Sequence, residues 1–250
     1  EDGAAEGTTT VNINQSNLQV ANNGKLVNVA DSTGGVVNIN VNQNVELLGT
    51  GNLIEVGAIA ETTTVDINKD ITITGSGNIV KAGAIASGKL NVNLNVEGDT
   101  GLNVAADKTA LDLSAVGAGD VASVKNTGTV TIAGKGTLVK GHDSYTTSLT
   151  NQGLITLNTV DTAVSDNSSH ISSGQKVRLD NYGTIDLAIS STDFLAKTKK
   201  TSLEELDMDD VRTALAALGI VATGSSEAFT SVGYIQFSDG EYFTTATALS

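Results

Sequence analysis

Residues 49–60 read Gly-Thr-Gly-Asn-Leu-Ile-Glu-Val-Gly-Ala-Ile-Ala, and residues 75–86 read Gly-Ser-Gly-Asn-Ile-Val-Lys-Ala-Gly-Ala-Ile-Ala. The phrase returns after 26 residues with like-for-like changes at its apolar positions, and a weaker copy, Asn23-Gly-Lys-Leu-Val-Asn-Val29, lies further upstream. A period of this length carried by short β-rich phrases marks a stacked array of coils. Aligning the copies predicts Glu55 beside Lys81, with Asn28 one coil before, all outward. Ile54 and Val56 then point inward over Val80 and Ala82. A Glu55–Lys81 ion pair on such a surface would contribute about 0.2–1 kcal/mol. Each buried Val or Ile contributes roughly 1.5–3 kcal/mol, so the interior dominates.

Working outward, strand-like alternation recurs over residues 8–190: Thr10-Val-Asn-Ile-Asn14, Val37-Asn-Ile-Asn-Val41, Val65-Asp-Ile-Asn68, Ile71-Thr-Ile-Thr74 and Leu90-Asn-Val-Asn-Leu-Asn-Val96. Apolar residues alternate with Asn, Asp and Thr, as one buried and one wet face require. Asn126-Thr-Gly-Thr-Val-Thr-Ile132, Asn151-Gln-Gly-Leu-Ile-Thr-Leu157 and Asn181-Tyr-Gly-Thr-Ile-Asp-Leu187 share a second pattern. Each reads as a turn feeding a strand, with Asn and Gly suited to a corner of positive φ. Recurrent Asn either fills turns and wet faces or stacks into an amide ladder. At about 26 residues per coil, residues 8–190 make roughly seven coils, a stack on the order of 35 Å long.

Composition agrees. The 250 residues include 27 Gly, no Pro, no Cys and no Trp. Proline cannot donate to a ladder, and in a stack nearly every strand is central. Without Cys there is no disulfide framework. The net charge is −14, and residues 201–250 hold eight acids and one Arg, half of that total. Such a surface repels nucleic acid and anionic lipid. No apolar run is long enough to span a membrane. A chain beginning at Glu1 without a signal segment reads as a processed product or an excised fragment.

The pattern fails after about residue 190, so residues 1–190 read as coils and 191–250 as a separate small element. Lys197, Lys199 and Lys200 form a polar boundary. Ser202-Leu-Glu-Glu205 then has the form of a capping box, with apolar residues at helical spacing predicting one helix over 203–218 and Gly219 as its stop. Five of the eight aromatics follow: Phe229, Tyr234, Phe237, Tyr242 and Phe243. Ser238-Asp-Gly240 suits a hairpin turn. This acidic helix and aromatic hairpin read as a cap on the stack or as an insertion that projects from it, with those five aromatics as candidate partner-binding residues.

Catalytic and metal motifs are few. His142-Asp-Ser144 is read as strand, whose neighbours face opposite ways and cannot converge as a triad. His170 reads as a solvated loop residue. Asp207-Met-Asp-Asp210 lacks the glycine and distant Glu of a calcium loop. No phosphate loop, nucleophile elbow or metal-spaced His pair occurs. Catalytic, cofactor and metal residues are therefore all expected to be absent.

The Asn-x-Gly-x-[Ile/Val]-x-[Leu/Ile] phrases at 126–132, 151–157 and 181–187, in a Pro- and Cys-free chain rich in Gly, Asn and Thr, resemble passenger domains of Gram-negative autotransporters. The resemblance covers residues 8–190 and implies an all-β fold, a right-handed parallel β-helix (β-solenoid) carrying a small C-terminal helix-plus-hairpin element. It further implies a location at the bacterial outer membrane, facing outward. Many members are non-enzymatic adhesins, so the resemblance implies a protein or glycan receptor on a host or bacterial cell. Signal sequence and translocator barrel are missing, which suits part of a longer passenger. Two alternatives are a β-helical polysaccharide lyase or hydrolase, which would need aromatics along a groove, and a self-associating module that aggregates bacteria.

Overall fold

The structure is a computed structural model. It describes residues 7–29, 35–57, 62–83, 88–98, 100–116, 121–174, 176–222 and 229–245, with the side chains of Val121 and Phe229 left out. The final Ala-Ile-Ala of each opening phrase, 58–60 and 84–86, therefore lies outside the described residues.

The chain winds into a β-solenoid with three faces. The first face stacks eight parallel strands: Thr8–Ile13, Val36–Val41, Thr62–Ile67, Lys89–Leu94, Val121–Asn126, Thr147–Asn151, Val177–Asn181 and Phe229–Ser231. The second stacks eight more, from Leu18–Val20 to Thr184–Leu187 and Tyr234–Phe237, then adds Tyr242–Phe243 antiparallel. The third holds six, from Val27–Val29 to His170–Ser173. Six turns thus carry all three strands. Every strand between the ends donates and accepts on both sides, which explains why proline has no place here.

The register is the one the repeat predicts: Ile54 pairs with Val80, Glu55 with Lys81, and Asn28 with Glu55. Ile54, Val56, Val80 and Ala82 are buried in one continuous core that runs the length of the stack. Outside, the third face presents the column Asn28, Glu55, Lys81, Asp112, Lys140 and Ser173. Its signs alternate, so no two like charges sit one rung apart, where they would destabilise the pair. The expected ion pair is corrected, however. Glu55 is bridged at 2.7 Å by Lys25, from the corner one coil earlier. The Lys25 hydrogen bond, with its charge, holds the Glu55 carboxyl below its ordinary value, and Lys81 adds only the smallest contribution.

Both readings of the recurrent asparagines hold: Asn17 and Asn22 take positive φ in turns, and others stack into amide ladders, two of which run over several coils. On the surface Asn42 Nδ2 donates to Asn14, Asn68 to Asn42, Asn95 to Asn68, and the Thr127 hydroxyl to Asn95, at 2.9–3.4 Å. Inside, Asn126 donates to Asn151 and Asn151 to Asn181, both at 2.8 Å, and Asn181 to Ser231 Oγ at 3.0 Å. These four inner residues are buried. Their amides also reach the carbonyls of Leu154, Thr184 and Tyr234, so each buried polar group is paired.

The Asn-x-Gly corner is corrected too. Asn126, Asn151, Asn181, Gly128, Gly153 and Gly183 have no positive φ. Their glycines answer to space instead. A Cβ on Gly153, Gly183 or Gly233 would lie 2.1 Å from the carbonyl oxygen of the glycine one coil below. Glycine is required because backbone stacks directly on backbone.

The change of material at residue 190 is an insertion within a coil rather than the end of the coils. Ile171 N donates to Ile220 O, and Ala222 N to Ser172 Oγ, so the segment after Gly219 returns to lie along the third face. Ser231-Val-Gly-Tyr-Ile-Gln-Phe237 is then a further copy of the corner phrase, with Asn181 paired to Ser231 and Ile185 to Ile235. The inserted residues bury Phe194, Leu206, Val211, Ala214, Leu215 and Leu218 against the same core.

The expected single helix over 203–218 is shorter and differently capped. Helix α1 spans Ser191–Leu195, a 3-10 turn spans Leu203–Glu205, and helix α2 spans Met208–Ala217. Ser202 makes no capping bond. Asp207 and Asp210 form the capping box, because Leu206 leaves the helical path in an extended conformation and buries its side chain. Gly219 does end α2, at φ +74°.

Candidate contact surface

The five candidate aromatics separate. Phe229 begins a strand of the first face, and its side chain lies outside the described residues. Phe237 is 1 % exposed and packs its ring 5.1 Å from that of Phe194, while Phe243 is 6 % exposed. These two face the core because strand alternation turns them inward, so the reading of all five as one contact surface is corrected. Tyr234 and Tyr242 remain outside, 50 % and 53 % exposed, with ring centroids 5.7 Å apart in an edge-on pair.

Tyr182, 57 % exposed, adds a third ring from within the coils, outside the five candidate aromatics. It lies two residues before Thr184, the register partner of Tyr234, and beside the exposed Val232 of the next rung. The signal was present: aligning Asn181–Leu187 with Ser231–Phe237 puts Tyr182 next to Val232 and Thr184 next to Tyr234. Thr184, Tyr234, Gln236, Gly240 and Tyr242 together line a depression of about 310 Å³. Along the sheet, the outward column runs Glu46, Thr72, Asn103, Thr131, Thr156, Asp186, Gln236. The tyrosines therefore stand at one end of an otherwise polar face.

The hairpin that carries Tyr242 is held in place. Gln236 pairs with Tyr242, and Gly240 turns the chain at φ +86°. The Asp239 carboxylate accepts from the hydroxyl and the amide of Ser191 at 2.8 Å each, tying the turn to the start of α1. The Ser191 hydroxyl, followed by the Ser191 and Glu241 amides, holds the Asp239 carboxyl below its ordinary value.

Other candidates are placed as follows. His142-Asp-Ser144 lies in a bend between strands, not in a strand; Ser144 donates its backbone amide, not its hydroxyl, to His142 Nδ1, and His142 packs its ring against Tyr145. His170 is corrected from loop to strand: it is half-buried at the head of the last third-face strand, with Nδ1 against the carbonyl of Gly219. Asp207 and Asp210 are engaged as a helix cap. Among the described residues, no three His, Cys, Asp or Glu gather as a metal-binding group, and no helix is long and apolar enough to cross a membrane. Comparison with known proteins finds no matching family model, no matching curated protein and no matching solved structure.

Proposed function

We propose that this chain is a non-enzymatic adhesive module of a bacterial cell surface, of the autotransporter-passenger kind, and that it contacts its receptor through Tyr182, Tyr234 and Tyr242. The observation that carries the reading is the exposure of three tyrosines at one end of a sheet face whose outward column is polar. Exposed aromatics on a scaffold fixed by its own core are suited to recognition, because their rings bury much area at little loss of conformational freedom. Labelled protein incubated with epithelial and bacterial cells tests it. The wild type should bind saturably, and replacing all three tyrosines by Ser should remove most of that binding. Equal binding by the variant sinks the tyrosine assignment, and no binding to either cell type sinks the adhesive reading.

Self-association is a second reading, favoured by the third-face column. Against an antiparallel second copy, Glu55 would face Lys140 and Lys81 would face Asp112, so the alternating signs are self-complementary. Sedimentation at low and high salt, with Lys81→Glu and Lys140→Glu together, tests it. A monomer at every concentration and salt would exclude it.

A further inference from the structure

The chemistry around the three tyrosines identifies the class of ligand more narrowly than adhesion does. Among the described residues the depression is lined by two phenol rings, the Thr184 hydroxyl, the Gln236 amide and the Gly240 backbone, with no charged side chain. Ring faces are apolar, whereas the groups beside them are neutral donors and acceptors. An oligosaccharide has the matching surface: C–H groups on the faces of its rings and hydroxyls around their edges. The surroundings disfavour a protein hot spot, which needs an apolar centre; here Val232 is the exposed aliphatic neighbour, and the adjoining column is Asp186, Thr156 and Thr131. Asp186, beside Gln236 on the rung below, offers a carboxylate to hydroxyls and would repel an anionic sugar. The net charge of −14 opposes polyanions in the same way. The volume is at the lower end of what small-ligand sites occupy.

We propose that the depression flanked by Tyr182, Tyr234 and Tyr242 binds a neutral oligosaccharide, its sugar rings stacked on the tyrosines and its hydroxyls bonded to Thr184 and Gln236. This rests on the adhesive reading and names the chemistry of its receptor. The chain supplies its own probe: it has four Tyr and no Trp, and three of the four are in this patch, so intrinsic tyrosine emission reports almost directly on the site. Full-length protein is titrated with maltohexaose, cellohexaose, xylohexaose and N-acetylchitohexaose, and with polygalacturonate as the anionic case. At least one neutral hexasaccharide should change the emission saturably. Tyr234→Ala should weaken it roughly tenfold, the loss of one stacking contact, while Tyr234→Phe and Tyr145→Ala should leave it close to wild type. Far-UV circular dichroism confirms that each variant is folded. The proposal is overturned if no neutral hexasaccharide binds, if only polygalacturonate binds, or if binding survives Tyr234→Ala. Periodate treatment of the target cells separates it from the broader reading. Attachment that needs the tyrosines but survives oxidation of surface glycans leaves the adhesive reading standing and removes the glycan.

Discussion

Replacing Gly183 by Ala tests the claim that backbone stacks on backbone at the Asn-x-Gly corner. The new Cβ would lie 2.1 Å from Gly153 O, 2.7 Å from Gln152 C and 2.8 Å from Gly153 N. Carbon comes no nearer than about 3.3 Å to a carbonyl oxygen even in close sheet contacts, so the two coils must part locally by roughly 1 Å. That separation stretches the bonds from Gly183 N to Asn151 O at 3.0 Å and from Thr184 N to Gly153 O at 2.9 Å. It also opens the buried contact from Asn151 Nδ2 to Thr184 O at 3.1 Å. Two or three half-buried groups left without partners, each worth about 1–3 kcal/mol, predict a loss of roughly 2–9 kcal/mol. A loss of that size is a large share of a typical total of about 5–15 kcal/mol. Gly24 is the control: its Cβ would meet nothing nearer than Ala21 O at 3.6 Å, and Gly24→Ala should stay within about 1 kcal/mol of wild type. Urea unfolding is followed by far-UV circular dichroism and by tyrosine emission together, because coil arrays can unfold in parts. Tyr182, Tyr234 and Tyr242 lie near Gly183, so emission should fall at lower urea than the bulk strand signal. If Gly183→Ala unfolds at the wild-type midpoint, or Gly24→Ala loses as much, the stacking explanation is wrong.

Three further expectations concern the polar ladders, the helix cap and the surface pair. Asn151→Ala removes the middle of the buried ladder and leaves Asn181 Oδ1 without its donor, so it should cost about 2–4 kcal/mol; Asn42→Ala on the exposed ladder, where water replaces the amide, should cost under about 1 kcal/mol by the same urea assay. The Asp207 carboxyl is held below its ordinary value, first by the Asp210 amide and then by that of Asp209. A depressed carboxylate contributes stability that is present above the unfolded value, near pH 4, and is lost as pH falls through the folded one. Helical ellipticity should therefore decline below about pH 4, and Asp207→Asn should flatten that decline; identical acid profiles would show that another group controls it. Lys25→Ala should lower stability by less than about 1 kcal/mol, and Lys81→Ala by less still, since Glu55 takes its ion pair from Lys25. A larger effect at Lys81 in thermal melts would restore the pairing that the alignment alone suggests.

The sequence by itself determined how the chain stacks. A repeat of 26 residues with two-residue alternation leaves one register that buries the alternating apolar positions of the strands, since a slip of one residue would turn Ile54, Val56, Val80 and Ala82 outward. It also showed the hairpin turn at Gly240 and the helix stop at Gly219, both set by local backbone requirements. It misplaced what depends on distance through space. Gly183 has the sequence context of a turn residue, though its reason is the carbonyl of Gly153, 30 residues away. Leu206 looked helical, but burial draws it out of the helix and hands the cap to Asp207. Phe237 and Phe243 looked like a surface, yet alternation sends them into the core. The insertion hid the last copy of the corner phrase behind a 50-residue step from Asn181 to Ser231. Only closing that step in three dimensions brings Tyr182, Tyr234 and Tyr242 to one end of the stack, because neighbours across coils are fixed by the ladder and not by spacing along the chain.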